Sequence, residues 1–114
     1  MVLVWDAAAL KRLRDPRVTP GSQQWRLLYE AYLASAEWQV TRARFYAETG
    51  ERSCRACGSA SRVELHHRTY ERLGRERHVD FAPLCRPCHA AVHRIAKHRR
   101  DLSLAQVTDL ICAG

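Results

Sequence analysis

The sequence predicts a small α+β fold, and three observations carry that prediction. Apolar residues recur at helical spacing on both flanks of the chain. Two short β-branched or aromatic runs lie between them, and two Cys-x-x-Cys pairs bracket those runs. With 114 residues the chain has room for one small domain with an added arm, and for one site.

Residues 1–19 read as an N-terminal arm, because a short helical candidate from Asp6 to Arg14 is cut off by Asp15-Pro16 and then by Thr19-Pro20-Gly21. The remaining residues, 20–114, read as the main domain. Its helical lead-in, 20–50, holds two helices. The first is signed by Thr19 as N-cap and Pro20 at the first helical position, with Trp25, Leu28, Tyr29, Tyr32 and Leu33 as one apolar stripe. The second starts at the N-cap Ser35, has Glu37 in its first turn, continues through Trp38, Thr41 and Phe45, and ends at Gly50. Trp25, Trp38 and Phe45 are expected in the core rather than as base-stacking residues, since large apolar groups are scarce in this chain.

Residues 53–98 form the chemical segment, in the order strand, loop, strand, helix. Val63-Glu64-Leu65 reads as a first strand ending in His66-His67, and a second strand is expected around His78-Val79-Asp80-Phe81. A helix then carries Cys88, His89 and His93. In the last element, 102–112, Ser103 and Gln106 make a capping box, and Leu104, Val107, Leu110 and Ile111 form the apolar stripe of a C-terminal helix.

Composition narrows the function. No segment approaches the ~18 uncharged apolar residues that cross a bilayer, so no membrane partner and a cytoplasmic location are expected. Nineteen Lys and Arg face twelve Asp and Glu, for a net charge of +7. Seventeen of those nineteen are arginine, which suits phosphate or planar acceptors and favours nucleic acid; the competing reading is a solvated basic surface. Five cysteines without an export signal argue against a disulfide framework.

Cys54, Cys57, Cys85 and Cys88 have the spacing of a structural Zn2+ site, in which a tight turn presents two thiolates per pair to one tetrahedral ion. The twenty-seven residues between Cys57 and Cys85 would be clipped at their base by that ion. Cys112 falls outside the pattern and reads as a small apolar residue of the last helix. The histidines form a second pattern. His89 and His93, at i and i+4, share one helical face and can grip one divalent ion, which an imidazole from a neighbouring strand would complete. Adjacent strand residues point to opposite sides, so His66 and His67 are expected to have different jobs, one as ligand and one as a neutral base. His78 and His98 read as ordinary side chains.

The stretches CRACG, VELHHRTYERLG and DFAPLCRPCHAAVH, with the upstream YLASAEWQVTRARFYAETG, resemble the HNH (His-Asn-His) endonuclease family in its zinc-bound branch from bacteria and phages. The resemblance implies a ββα-metal core with a four-cysteine zinc staple, preceded by two helices and followed by a C-terminal helix. It implies that His67 is the general base, that His66, His89 and His93 ligate a catalytic divalent ion (Mg2+, Mn2+, Ni2+ or Zn2+), and that the product ends are 5′-phosphate and 3′-hydroxyl. The chain has no asparagine, and Asp80 stands where the family has its Asn. The resemblance implies that this residue belongs to the catalytic site, bracing the loop and helping to hold the base histidine; a carboxylate can still accept from backbone N–H groups or an imidazole N–H, and near the base it is expected to raise that base's pKa.

The expected partner is DNA, met through phosphate contacts by Arg68, Arg72, Arg75, Arg77, Arg86, Arg94 and Lys97. Tyr70 and Leu73 are expected to pack the loop rather than wedge between bases. Two other readings stand beside this one. One is a non-catalytic zinc-binding module that contacts nucleic acid or protein; the other is an accessory nuclease with a protein partner in a phage, defence or mobile-element system. The sequence leaves the oligomeric state open.

Overall fold

The computed structural model describes Val4–Ala113. Among these residues the chain is α+β, with α1 (Ala7–Leu13), α2 (Gln23–Leu33), α3 (Ala36–Thr49), β1 (Val63–His67), a 3-10 turn (His78–Asp80), β2 (Phe81–Cys85), α4 (Arg86–His98) and α5 (Leu104–Ala113). The chain divides into two compact units. One covers the described residues through Arg44 together with Leu73–Arg75, and the other covers Phe45–Arg72 and Glu76 onward.

In the first unit Asp6 caps α1, its carboxylate accepting from the Ala9 N–H at 2.8 Å. The expected N-cap Thr19 is not the start of α2. Gly21 takes φ +85°, a left-handed backbone that cannot belong to the first turn of a right-handed helix, so the start moves to Ser22, whose hydroxyl accepts from the Trp25 N–H at 3.2 Å. Ser35 does cap α3, accepting from the Trp38 N–H at 3.1 Å. Trp25, Tyr32 and Trp38 are buried, and the Tyr32 ring lies 5.6 Å from Trp38 and 4.9 Å from Trp5, which makes an aromatic core for this unit. Leu73 is buried here as well, and a side chain at Gly74 would collide with Leu10 Cδ1 at 2.7 Å.

In the second unit β1 and β2 pair antiparallel, with His66 opposite Ala82 and His67 opposite Phe81. The second strand begins at Phe81, later than the sequence suggested. The Asp80 carboxylate accepts from the Arg77 N–H at 2.9 Å, and the Asp80 N–H donates to the Arg77 carbonyl at 2.9 Å; together these close His78–Asp80 into a 3-10 turn. Bonds from Arg68 N–H to the Asp80 carbonyl and from Arg86 N–H to the Arg62 carbonyl extend the ladder at both ends, so the even-numbered residues of β1 are the hydrogen-bonded ones. Pro83 therefore sits where no ladder donor is needed. Its carbonyl faces outward and accepts from the Arg55 N–H at 2.9 Å, which seats the first cysteine loop on the edge of β2.

The pleat divides the side chains between two faces. Glu64, His66, Ala82 and Leu84 face the helices, where Ala82 and Leu84 join Val92 of α4 and Val107 of α5 in a fully buried core. Leu65, His67 and Phe81 lie on the opposite face, where Phe81 meets the Phe45 ring edge-on at 5.6 Å. The capping box of α5 forms as read: Ser103 N–H donates to Gln106 at 2.8 Å, and Gln106 N–H donates to the Ser103 hydroxyl at 3.1 Å.

Candidate metal centres

Among the described residues, two clusters that could hold a metal ion lie in the second unit. Cys54, Cys57, Cys85 and Cys88 bring four sulfurs within 4.8 Å of one another, with Cys57 Sγ and Cys85 Sγ at 3.6 Å. A tetrahedron of ~2.3 Å bonds separates its sulfurs by roughly 3.8 Å, so the donor set fits one thiophilic ion. The first pair stands on a loop closed by the Gly58 N–H to the Cys54 carbonyl at 2.8 Å, with Gly58 at φ +81°. The second pair is set by the change from strand to helix, since Cys85 ends β2 and is the N-cap of α4 while Cys88 lies in its first turn.

The thiols do not share protons evenly. Burial opposes ionisation of Cys54, but the backbone N–H groups of Cys85, Cys57 and Ala56 outweigh it and hold this thiol down to about 6. Cys88 moves up, chiefly through its contact with Cys85 and through burial. Four thiols this close cannot all ionise without a cation among them, and one ready thiolate gives that cation its first ligand.

The second cluster is His66, His89 and His93, with ligand atoms again within 4.8 Å of one another. His66 comes from β1 and is 1 % exposed. His89 and His93 stand one turn apart on α4, their Nε2 atoms 3.2 Å apart. Nitrogen ligands at ~2.0–2.1 Å from a tetrahedral ion would lie roughly 3.3 Å from each other, so this separation fits a shared cation. Burial, then the neighbouring charges of His89 and His93, push His66 down to about 2, which keeps the imidazole neutral and able to ligate. Its Nδ1 is buried without a hydrogen-bond partner, an arrangement that a bound cation would relieve.

His67 lies on the other face of the strand, as the period of the pleat requires. Its Nε2 is 2.8 Å from Glu76 Oε2, and both side chains are 1 % exposed. An ionised carboxylate only accepts, so this contact places a ring proton on Nε2. The Phe81 ring, 5.1 Å away, and Tyr70, 5.8 Å away, flank the imidazole. Sequence reasoning missed Glu76, which lies nine residues from His67 in a charged loop with no periodicity to single it out.

Asp80 accepts a backbone N–H, as a loop-bracing carboxylate is expected to, and its side-chain partner is Arg72. It is 1 % exposed; its carboxylate accepts from both the Nε and a terminal nitrogen of Arg72 and from the Arg77 N–H, so it braces the loop. Burial works against its charge, but the Arg72 guanidinium and the Arg77 N–H hold it below the usual carboxylate value.

The seven basic residues separate into two groups. Arg68 pairs with Asp109 at 2.7 Å and Arg72 with Asp80, so both are engaged within the fold. Arg75, Arg77, Arg86, Arg94 and Lys97 lie toward solvent, although Arg86 Nε is also 3.9 Å from Glu64 Oε2, and Arg75 lies in the loop tip that belongs to the first unit. His78 lies edge-on to Phe45 at 5.4 Å, and its Nε2 is 3.1 Å from Glu48 Oε1. No helix among the described residues is long and apolar enough to cross a membrane. Compared with family models, with curated proteins and with solved structures, the chain matches none.

Proposed function

We propose that this chain is a metal-dependent DNA endonuclease of the HNH type. In this reading the four-cysteine cluster holds a structural Zn2+, and β1, β2 and α4 form a ββα-metal core. The observation that carries it is the convergence of three imidazoles from β1 and α4, with the next residue, His67, fixed through its Nε2 by Glu76. A purely structural zinc module needs only the four cysteines.

His66, His89 and His93 would hold the catalytic ion, which supplies Lewis-acid polarisation of a phosphate oxygen. His67, held at Nε2 by Glu76, would serve as the general base toward water, with Glu76 steadying the imidazolium that results. Asp80 holds the loop that carries Glu76 by gripping Arg72 and the Arg77 N–H. The solvent-facing Arg75, Arg77, Arg86, Arg94 and Lys97 bind backbone phosphates, which makes DNA binding salt-dependent and weakly selective for sequence. Reduced cysteines of this kind belong to a cytoplasmic setting.

Incubation with supercoiled plasmid under Mg2+, Mn2+ or Ni2+, beside an EDTA control, tests the reading. Metal-dependent nicking or linearisation is expected, and His67→Ala with the same zinc content should lose the ~10²–10⁴-fold that a general base contributes. One observation favours a second reading, a non-catalytic binding module: the His67 side chain is almost wholly enclosed. A folded, zinc-loaded protein that cuts neither single- nor double-stranded DNA with any of these ions, yet binds it, decides for the module.

A further inference from the structure

We propose that α5 is part of the histidine site. Thr108 of α5 and Glu64 of β1 are positioning residues that fix the tautomers of His66 and His89, so that the cluster presents His66 Nδ1, His89 Nε2 and His93 Nε2 to one divalent ion. The inference deepens the metal-site reading above and rests on it.

Thr108 is 1 % exposed, and its hydroxyl donates to the Leu104 carbonyl one turn earlier at 2.8 Å. That bond commits the only hydroxyl proton. Toward His66 Nε2, at 2.9 Å, the same oxygen can then only accept, and the ring proton must sit on Nε2. His66 Nδ1 is left with its lone pair, buried and without a partner. Proteins seldom bury an acceptor in this state, and a metal-ligating histidine characteristically donates its other ring N–H to a nearby oxygen.

His89 repeats the logic from the other side. Its Nδ1 lies 3.0 Å from Glu64 Oε1, a carboxylate that accepts, so Nε2 keeps the lone pair on the side that faces His93. Glu64 is 42 % exposed, so its hold on the ring is weaker than that of the enclosed Thr108. The register makes both contacts possible, since Glu64 and His66 share the face of the sheet that α4 and α5 cover. His93, one turn beyond His89, closes the set with Nε2 3.2 Å from His89 Nε2.

The test uses the full chain with its cysteine site loaded with Zn2+, titrated with Ni2+ by calorimetry, and compares wild type with Thr108→Val and Thr108→Ser. Valine keeps the shape and removes the hydroxyl; serine keeps the hydroxyl. Wild type is expected to take up one Ni2+ at the histidines, Thr108→Val to bind ~10–100-fold more weakly, and Thr108→Ser to recover most of the loss. Glu64→Gln, whose amide oxygen can still accept, should lose less than Thr108→Val. Nitrogen-15 imidazole spectra before Ni2+ is added give a second readout: His66 is the Nε2–H tautomer in wild type and a mixture in Thr108→Val. Equal affinity and an unchanged His66 tautomer in Thr108→Val would overturn the role of Thr108 while leaving the metal site standing. A wild type that takes up no Ni2+ at the histidines would overturn the metal-site reading itself, and this inference with it.

Discussion

Replacing Glu76 with alanine separates what the His67–Glu76 pair does for the fold from what it does for chemistry. Both side chains are 1 % exposed and their contact is 2.8 Å, so the variant leaves a buried imidazole N–H without its carboxylate. An unsatisfied buried donor costs about 1–3 kcal/mol, and the smaller alanine adds a void beside the imidazole that Phe81 and Tyr70 flank. Urea unfolding of the zinc-loaded protein should show a lower midpoint at unchanged m-value, with a loss of about 2–3 kcal/mol. Glu76→Gln keeps an accepting oxygen, and should retain all but about 1 kcal/mol.

Activity should follow the same order for a separate reason. Without the carboxylate the ring loses the contact that places its proton on Nε2 and orients it as a base. Plasmid nicking by Glu76→Ala should therefore fall by ~10²-fold or more at saturating metal, while Glu76→Gln retains much of its rate. If Glu76→Ala unfolds at the wild-type midpoint and cuts at the wild-type rate, the pair is neither a structural anchor nor the orienting contact of a base, and the reasoning from its geometry is wrong.

Two further predictions concern the staple and the loop. Cys57→Ser, or a chelator strong enough to compete with four thiolates, should reduce bound zinc by one equivalent in elemental analysis and melt the β1–β2 and α4 region, since structural zinc contributes ~10 kcal/mol or more of apparent binding energy. Asp80 has a folded-state pKa below 3.8, so its stabilisation is complete above the unfolded carboxylate value and is lost as pH falls through the lower folded one. Asp80→Asn should consequently flatten the acid limb of the stability curve below about pH 4, and should cost about 1–2 kcal/mol at neutral pH through weaker bonds to Arg72 and Arg77. Both values can be read from urea midpoints measured across that range.

Patterns with a fixed period were legible in the sequence. The Cys-x-x-Cys spacing marked the four-sulfur cluster, and the i, i+4 histidines marked the α4 half of the second cluster, because a turn and a helix each carry their ligands locally. The rule that neighbouring strand residues face opposite ways was enough to put His66 and His67 in different surroundings. The Ser35 cap and the Ser103–Gln106 capping box likewise depend only on residues three apart.

Contacts that bridge unrelated parts of the chain had no such signature. Thr19 and Ser22 both look like N-caps, and the left-handed backbone of Gly21 chose between them. Asp80 and Glu76 both lie in the charged loop, and the path of that loop decided that Glu76 reaches His67 while Asp80 turns back to Arg72. Thr108 lies forty-two residues from His66 and becomes its partner only because α5 packs over the sheet face that His66 shares with Ala82 and Leu84. Local geometry thus marked the candidate ligands, because helix, strand and turn periods are properties of short sequence. The hydrogen-bond partners of those histidines depended on tertiary packing, because a hydrogen bond between distant residues leaves no spacing to read.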